Sequence, residues 1–248
     1  MRLTRVYVAA ELVESARLAL DARAAGHLLR VLRLGVGAAL TVFDGRGREH
    51  LATIIVAQAA RVEVAVGRAR EPLPESRLAI TLAQGVSRSE RMDYAIQKAT
   101  ELGVTGIQPL LCERSVVRLD ADQAARRLAH WRLVAIAACE QCGRARLPEI
   151  AAPLPLPEWL RAGGPVASPG QLLALLSPAG ERRFAELPAV LERAVLLIGP
   201  EGGLAEAEER LARECGYGAF ALGPRVLRTE TAATAAIAVL QALRGDLG

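Results

Sequence analysis

Hydrophobic and polar positions near the start of the chain alternate with the period of two that a half-buried strand requires. Val62, Val64 and Val66 interleave with Arg61, Glu63 and Ala65. Arg2–Val8, Ala39–Phe43, Leu51–Val56 and Arg61–Val66 are all short and rich in Val, Ile, Leu and Thr, so each predicts a strand. Asp44-Gly45, with Gly47 close behind, predicts the turn between two of them. No long helix intervenes, so a small antiparallel barrel is expected. His27, Arg30 and Arg33 recur at helical spacing between the first two strands.

The period changes after Arg70-Glu71-Pro72-Leu73-Pro74-Glu75-Ser76, where two prolines can extend neither a helix nor a central strand. Apolar runs at Leu78–Ala83, Ile107–Leu111, Leu172–Leu176, Ala194–Ile198 and Ala219–Leu222 predict buried strands. Helical spacing marks Ser89–Leu102, Asp120–Gln141, Ala205–Glu214 and Thr229–Leu243. The longest of these carries Ala124, Leu128, Trp131, Ala135 and Ala138 in register, with Asp120 or Asp122 as its cap. Strands alternating with helices predict a parallel sheet covered on both faces. The expected organisation is a β domain over 1–72 and an α/β domain over 73–248.

Composition narrows the class. With 52% hydrophobic residues among 248, the chain holds enough apolar surface to exclude a disordered protein. No apolar run approaches the roughly 20 residues of a membrane span. Charges interrupt the first residues where a signal peptide needs its apolar stretch, and four cysteines are too few for a disulfide framework. A soluble, cytoplasmic protein with no membrane partner is expected.

All but one of the 31 basic residues are arginine, the exception being Lys98. Residues 1–75 hold 11 arginines against 8 acids, whereas residues 166–248 hold 8 against 10. A basic front part permits a nucleic-acid partner, and guanidinium grips phosphate bidentately. Aromatics make up only 3%, which argues against a base-stacking sheet of the RRM or OB kind. Cys139-Glu140-Gln141-Cys142 lacks two further ligands at zinc spacing, so helix packing is expected there and no bound metal.

Two strand-to-helix loops carry the chemistry, at the sheet edge where α/β proteins bind ligands. Ile198-Gly199-Pro200-Glu201-Gly202-Gly203 is neither a dinucleotide nor a P-loop fingerprint. Its Glu201 would repel a phosphate, so a ligand with hydroxyls, an adenine edge or a positive charge fits better. Leu222-Gly223-Pro224-Arg225-Val226-Leu227-Arg228-Thr229-Glu230-Thr231 opens the final helix. Thr229 or Thr231 suits the cap and Glu230 the positive helix end. Arg225 and Arg228 do not suit it, and cations before a helix N-terminus are functional candidates.

At these loops the chain resembles the SPOUT class of RNA methyltransferases, and within it the RsmE family. The resemblance extends to RLTRVYV, HLLRVLRLGVG, FDGRG, SRSERMDYAIQKATELGV, CERS, AACEQCGR and the closing GDLG. It implies a PUA-like β-barrel that binds RNA, followed by an α/β trefoil-knot domain. It also implies S-adenosylmethionine as methyl donor, N3 of a uridine in 16S ribosomal RNA of the small subunit as target, and a homodimer. The donor crevice would be lined by Leu176, Ile198, Gly199, Pro200, Glu201, Gly202, Gly203, Leu222, Gly223, Val226, Leu227, Arg228, Thr229 and Thr231, with Ser177 at its edge.

Arg228 is the expected catalytic group, because a fixed guanidinium stabilises the uracil anion that forms as N3 loses its proton. Glu140 is a weaker catalytic candidate, placed by the resemblance on the substrate side with Arg144. RNA contacts are expected from Arg2, Arg5, His27, Arg30 and Arg33 in the first domain and Arg88, Lys98, Arg114 and Arg144 in the second. A nucleotide-dependent oxidoreductase and an RNA-binding module without activity are the competing readings. The absent GxGxxG argues against the first, and the intact glycines and Arg228 against the second.

Overall fold

The computed structural model describes residues 3–58, 61–161, 164 and 167–248. The chain divides into two compact units. The first comprises residues up to Glu75 together with Ile136–Leu147, and the second comprises Ser76–Ala135 and Pro148–Gly248.

The first unit contains β1 (Arg5–Tyr7), β2 (Arg17–Ala19), α1 (Ala22–Gly26), β3 (Ala39–Phe43), β4 (Glu49–Gln58) and β5 (Arg61–Arg70). They form one sheet in the order β1-β3-β4-β5-β2. The sheet is mixed and not purely antiparallel: β1 runs parallel to β3, with Arg5 opposite Thr41. Parallel neighbours need a crossover, and β2 with α1 supplies it. Asp21 caps α1 by accepting from the Ala24 amide at 2.7 Å. The helical spacing over His27–Arg33 resolves into a π-turn, His27–Val31, ending at Arg33 with a left-handed φ of 53°. Leu28, Leu40, Val42, Ile54 and Val64 fill the core beneath.

The second unit contains β6 (Ala79–Gly85), α2 (Ser89–Glu101), β7 (Gly106–Leu111), most of α3 (Ala121–Cys142), β8 (Glu149–Ile150), β9 (Leu154–Pro155), α4 (Leu156–Arg161), β10 (Gln171–Leu176), β11 (Arg193–Ile198), α5 (Glu206–Glu214), β12 (Gly218–Phe220) and α6 (Thr229–Arg244). Every pairing is parallel, in the order β12-β10-β11-β6-β7-β8, with β9 beside the end of β7. Ile80, Leu82, Leu196 and Ile198 pack on one face with Ile96 of α2, Trp131 of α3 and Ile237 of α6. Ala83, Val195 and Leu197 pack on the other with Leu160 of α4 and Ala212 of α5. Burial on both faces explains the uninterrupted apolar runs. The α3 cap is Asp120, whose Oδ1 accepts from the Gln123 amide at 2.7 Å.

β6 and β11 lie side by side in register, Ile198 opposite Gln84. Their onward connections run to opposite edges of the sheet, to β7 and to β12. That is the topological arrangement at which open α/β sheets bind ligands.

Candidate functional site

A cavity of about 330 Å³ opens at the carboxyl ends of β10, β11 and β12. Its walls are Leu176 and Ser177, the loop Ile198–Leu204, Phe220, and the loop Leu222–Thr229. The first loop turns tightly because the Gly203 amide donates to the Pro200 carbonyl at 2.9 Å, with Gly203 at a φ of 71°. A side chain at Gly199 would lie 2.9 Å from the backbone of Gly203, and one at Gly85 would lie 2.5 Å from the nitrogen of Pro200. These glycines are therefore demanded by space, and Gly203 by conformation.

Thr229 does not cap α6. The helix N-cap is Arg228, which makes no side-chain capping bond. The buried Thr229 hydroxyl instead donates to the Gly199 carbonyl at 2.6 Å and accepts from Gln84 Nε2 at 2.8 Å. One hydroxyl thus joins the second loop, the first loop and the end of β6. Thr231 is exposed and outside the cavity lining. The other residues expected to form the donor crevice all line this one cavity. Arg228 stands exposed at its rim, as does Arg225, and Val226 between them is 80% exposed.

Glu201 accepts from the Arg88 amide at 3.0 Å and faces Arg91 at 3.3 Å. Burial raises its proton affinity, but the amides of Arg88 and Glu201 itself, with the Arg91 and Arg88 charges, outweigh that and hold the carboxyl below its ordinary range. Arg91 also lies 4.0 Å from Glu230. One oxygen of each carboxylate, Oε2 in both, is buried without a hydrogen-bond partner among the described residues. Arg91, Pro178 and Glu209 line the cavity without having been singled out in the sequence. Arg91 lies in the first turn of α2, three residues after the cap residue Arg88, and that spacing was the available signal.

The remaining expected residues separate. His27, Arg30, Arg33, Arg88 and Arg114 are exposed, and Arg114 packs against Gly202 of the first loop. Lys98 is paired with Glu101 at 2.9 Å. Arg2 lies outside the described residues. Arg5 is buried against Glu49, donates to the Arg144 carbonyl at 3.0 Å and lies over the Phe43 ring. Arg144 is buried too, held by Glu75 at 2.6 Å. Neither guanidinium is on a surface that RNA could reach, because each has a carboxylate partner brought from a distant part of the chain.

Glu140 is likewise structural. It takes both ends of the Arg23 guanidinium, at 3.0 and 2.9 Å, and the Tyr7 amide at 3.0 Å. Both of its oxygens are thus occupied by the protein's own donors. In the same segment Cys139 is buried with Phe43 and Ala145. A hydrogen bond to Cys142, then burial, holds its thiol far above the ordinary range. Among the described residues no three His, Cys, Asp or Glu side chains are grouped to hold a metal ion, and no helix is long and apolar enough to cross a membrane.

Residues 74–241 match the RNA methyltransferase domain family, and residues 20–66 match the RNA methyltransferase PUA domain. The ribosomal RNA small subunit methyltransferase E of Buchnera aphidicola is 31% identical over 99% of this chain and 98% of its own. That of Mycobacterium bovis is 35% identical over 88% and 83%. The chain belongs to the ribosomal RNA small subunit methyltransferase E family. A crystal structure of that enzyme from Neisseria gonorrhoeae, bound to S-adenosyl methionine, is 37% identical, covers 100% of both chains and superposes with a TM-score of 0.89. A methyltransferase from Legionella pneumophila, solved with the cofactor SAM, is 39% identical with a TM-score of 0.93 over 100% of both chains. As the resemblance implied, a PUA-like β domain is followed in the chain by an α/β RNA methyltransferase domain.

Proposed function

We propose that the protein transfers a methyl group from S-adenosylmethionine to N3 of one uridine in 16S ribosomal RNA, within the assembled small subunit in the cytoplasm. The observation that carries this reading is the single cavity where both glycine-containing loops meet with Arg228 at the rim. The cavity fits the donor. Its 330 Å³ falls in the range of small-molecule sites, about 300–1,000 Å³. The ionised carboxylate of Glu201 at its wall, whose Oε2 has no hydrogen-bond partner among the described residues, matches a ligand bearing hydroxyls and positive charge. S-adenosylmethionine, when bound, supplies an electrophilic methyl group on a sulfonium.

The protein's own residues supply position and charge. The turn Pro200–Gly203 and Thr229 fix the two loops, so the walls of the cavity are held before substrate arrives. N3 of uracil becomes nucleophilic only on losing its proton, and the negative charge spreads to the flanking carbonyls. Arg228 at the rim stabilises that anion and is the catalytic residue of this reading. The uridine must leave its stack to reach the cavity. Arg88 and Arg114 take RNA phosphates on the second unit, and His27, Arg30 and Arg33 do so on the first. The first unit, expected from the sequence to end at residue 72 but extending to Glu75 and taking in Ile136–Leu147, grips RNA, and the second transfers the methyl group. A homodimer covers the exposed Val226 beside the cavity.

The test uses purified protein, S-adenosylmethionine and small ribosomal subunits from cells lacking the modification. Mass spectrometry of the digested RNA should show N3-methyluridine at one position. Donor binding by calorimetry without methylation would overturn the substrate, and no donor binding would overturn the reading.

A further inference from the structure

The chain has three Phe, two Trp and three Tyr, and all eight lie among the described residues. Only one is exposed there: Tyr94, at 45%. It sits on the outer side of α2, whose inner side buries Met92, Ala95, Ile96 and Ala99 in the core. Core packing therefore does not account for it. Cations neighbour it along the helix, Lys98 being also paired with Glu101 at 2.9 Å. Lys98, one turn on, places Nζ 5.9 Å from the ring centroid. Arg91, one turn back, lines the cavity. Spacings of three and four residues put Arg91, Tyr94 and Lys98 on neighbouring turns of the α2 surface, with the exposed cap residue Arg88 just before it. At 1.5 Å per residue the run from Arg91 at the cavity edge to Lys98 extends about 10 Å outward.

We propose that Tyr94 is a stacking platform for an unpaired base next to the target uridine, with Arg88 and Lys98 holding the phosphates on either side. Single-stranded RNA is recognised by bases stacked on aromatic faces beside cations that follow the backbone. Withdrawing a uridine from its stack leaves its neighbour's face bare, and a ring one to two turns from the cavity is placed to cover it. The sparse aromatic content excludes a multi-ring sheet but not one ring on a helix. Tyr94 is a positioning residue: it holds substrate and touches no reacting atom. This inference rests on the RNA-methylating reading above.

The experiment measures methylation kinetics on unmodified small ribosomal subunits, with donor affinity and sedimentation measured in parallel. Tyr94→Ala should raise KM for the subunits about tenfold, as loss of one stacked base does. kcat, donor affinity and the sedimentation coefficient should stay at wild-type values. Tyr94→Phe and Tyr94→Trp should restore KM, since both keep a stacking face. An unchanged KM in Tyr94→Ala overturns the proposal, as does a changed sedimentation coefficient, which would make Tyr94 a contact between copies. If the wild-type protein methylates no subunits, the reading of the site fails instead.

Discussion

Two sets of arginines behave in opposite ways. In the first unit Arg5 and Arg144 are buried and charge-paired, Arg5 against Glu49 and Arg144 against Glu75. Arg70 joins the former pair at 3.5 Å and reaches the Thr41 hydroxyl at 3.2 Å. In the second unit Arg225 and Arg228 stand exposed on a loop that ends at a helix N-terminus, where the local field disfavours them. The first set is accounted for by the carboxylates it meets, with the Arg144 carbonyl and the Phe43 ring adding to the hold on Arg5. The second is not explained by anything in the fold, and it borders the cavity. Residue type alone does not distinguish a structural guanidinium from a substrate-facing one; the presence of a buried counter-ion does.

That contrast can be broken in four places. Glu49→Ala leaves Arg5 buried beside no carboxylate, and urea unfolding should show a loss of about 3–5 kcal/mol. Glu140→Leu removes the acceptor of Arg23 and of the Tyr7 amide, with an expected loss of about 1.5–3 kcal/mol. Methyl transfer per folded molecule should be unaltered in that variant, and a fall of tenfold or more would return Glu140 to the reaction. Arg228→Ala should lower the transfer rate at least tenfold, about 1.4 kcal/mol, at nearly constant donor affinity by calorimetry. An equal loss of donor affinity would make Arg228 a binding group. Gly223→Ala forces a side chain onto a φ of 74° in open space. Strain alone should then appear, about 1 kcal/mol in thermal unfolding.

The elements that could be read from the chain are those with long, one-sided or fully apolar periods. Val62, Val64 and Val66 announce β5, and the runs at 107–111 and 194–198 announce two strands of the parallel sheet. β2, three residues with no buried position, carries no such period and escaped notice. α4, only six residues long, did so too. The parallel pairing of β1 with β3 was illegible because local alternation says nothing of which strand lies alongside. The cavity was largely legible, since Gly, Pro and Arg in strand-to-helix loops have few other uses. Thr229 was misread as a cap because its two partners, Gly199 and Gln84, are 30 and 145 residues away. Arg5 was misplaced on the surface for the same reason: Glu49 is 44 positions distant.

The anchoring of α6 has a consequence for how the molecule comes into being. Thr229 joins Gln84 across 145 residues, and Gln241 accepts from the Ser76 hydroxyl across 165 at 2.7 Å and donates to the Leu102 carbonyl across 139 at 2.9 Å. Contacts this distant in sequence form late, because the chain between them must first be brought together. During synthesis, β6 and β11 emerge with their apolar faces complete but without the helix that seats against them. The cavity has no second wall until α6 is released from the ribosome. Translation that stops short of Thr229 would therefore leave the sheet strands with half a cavity.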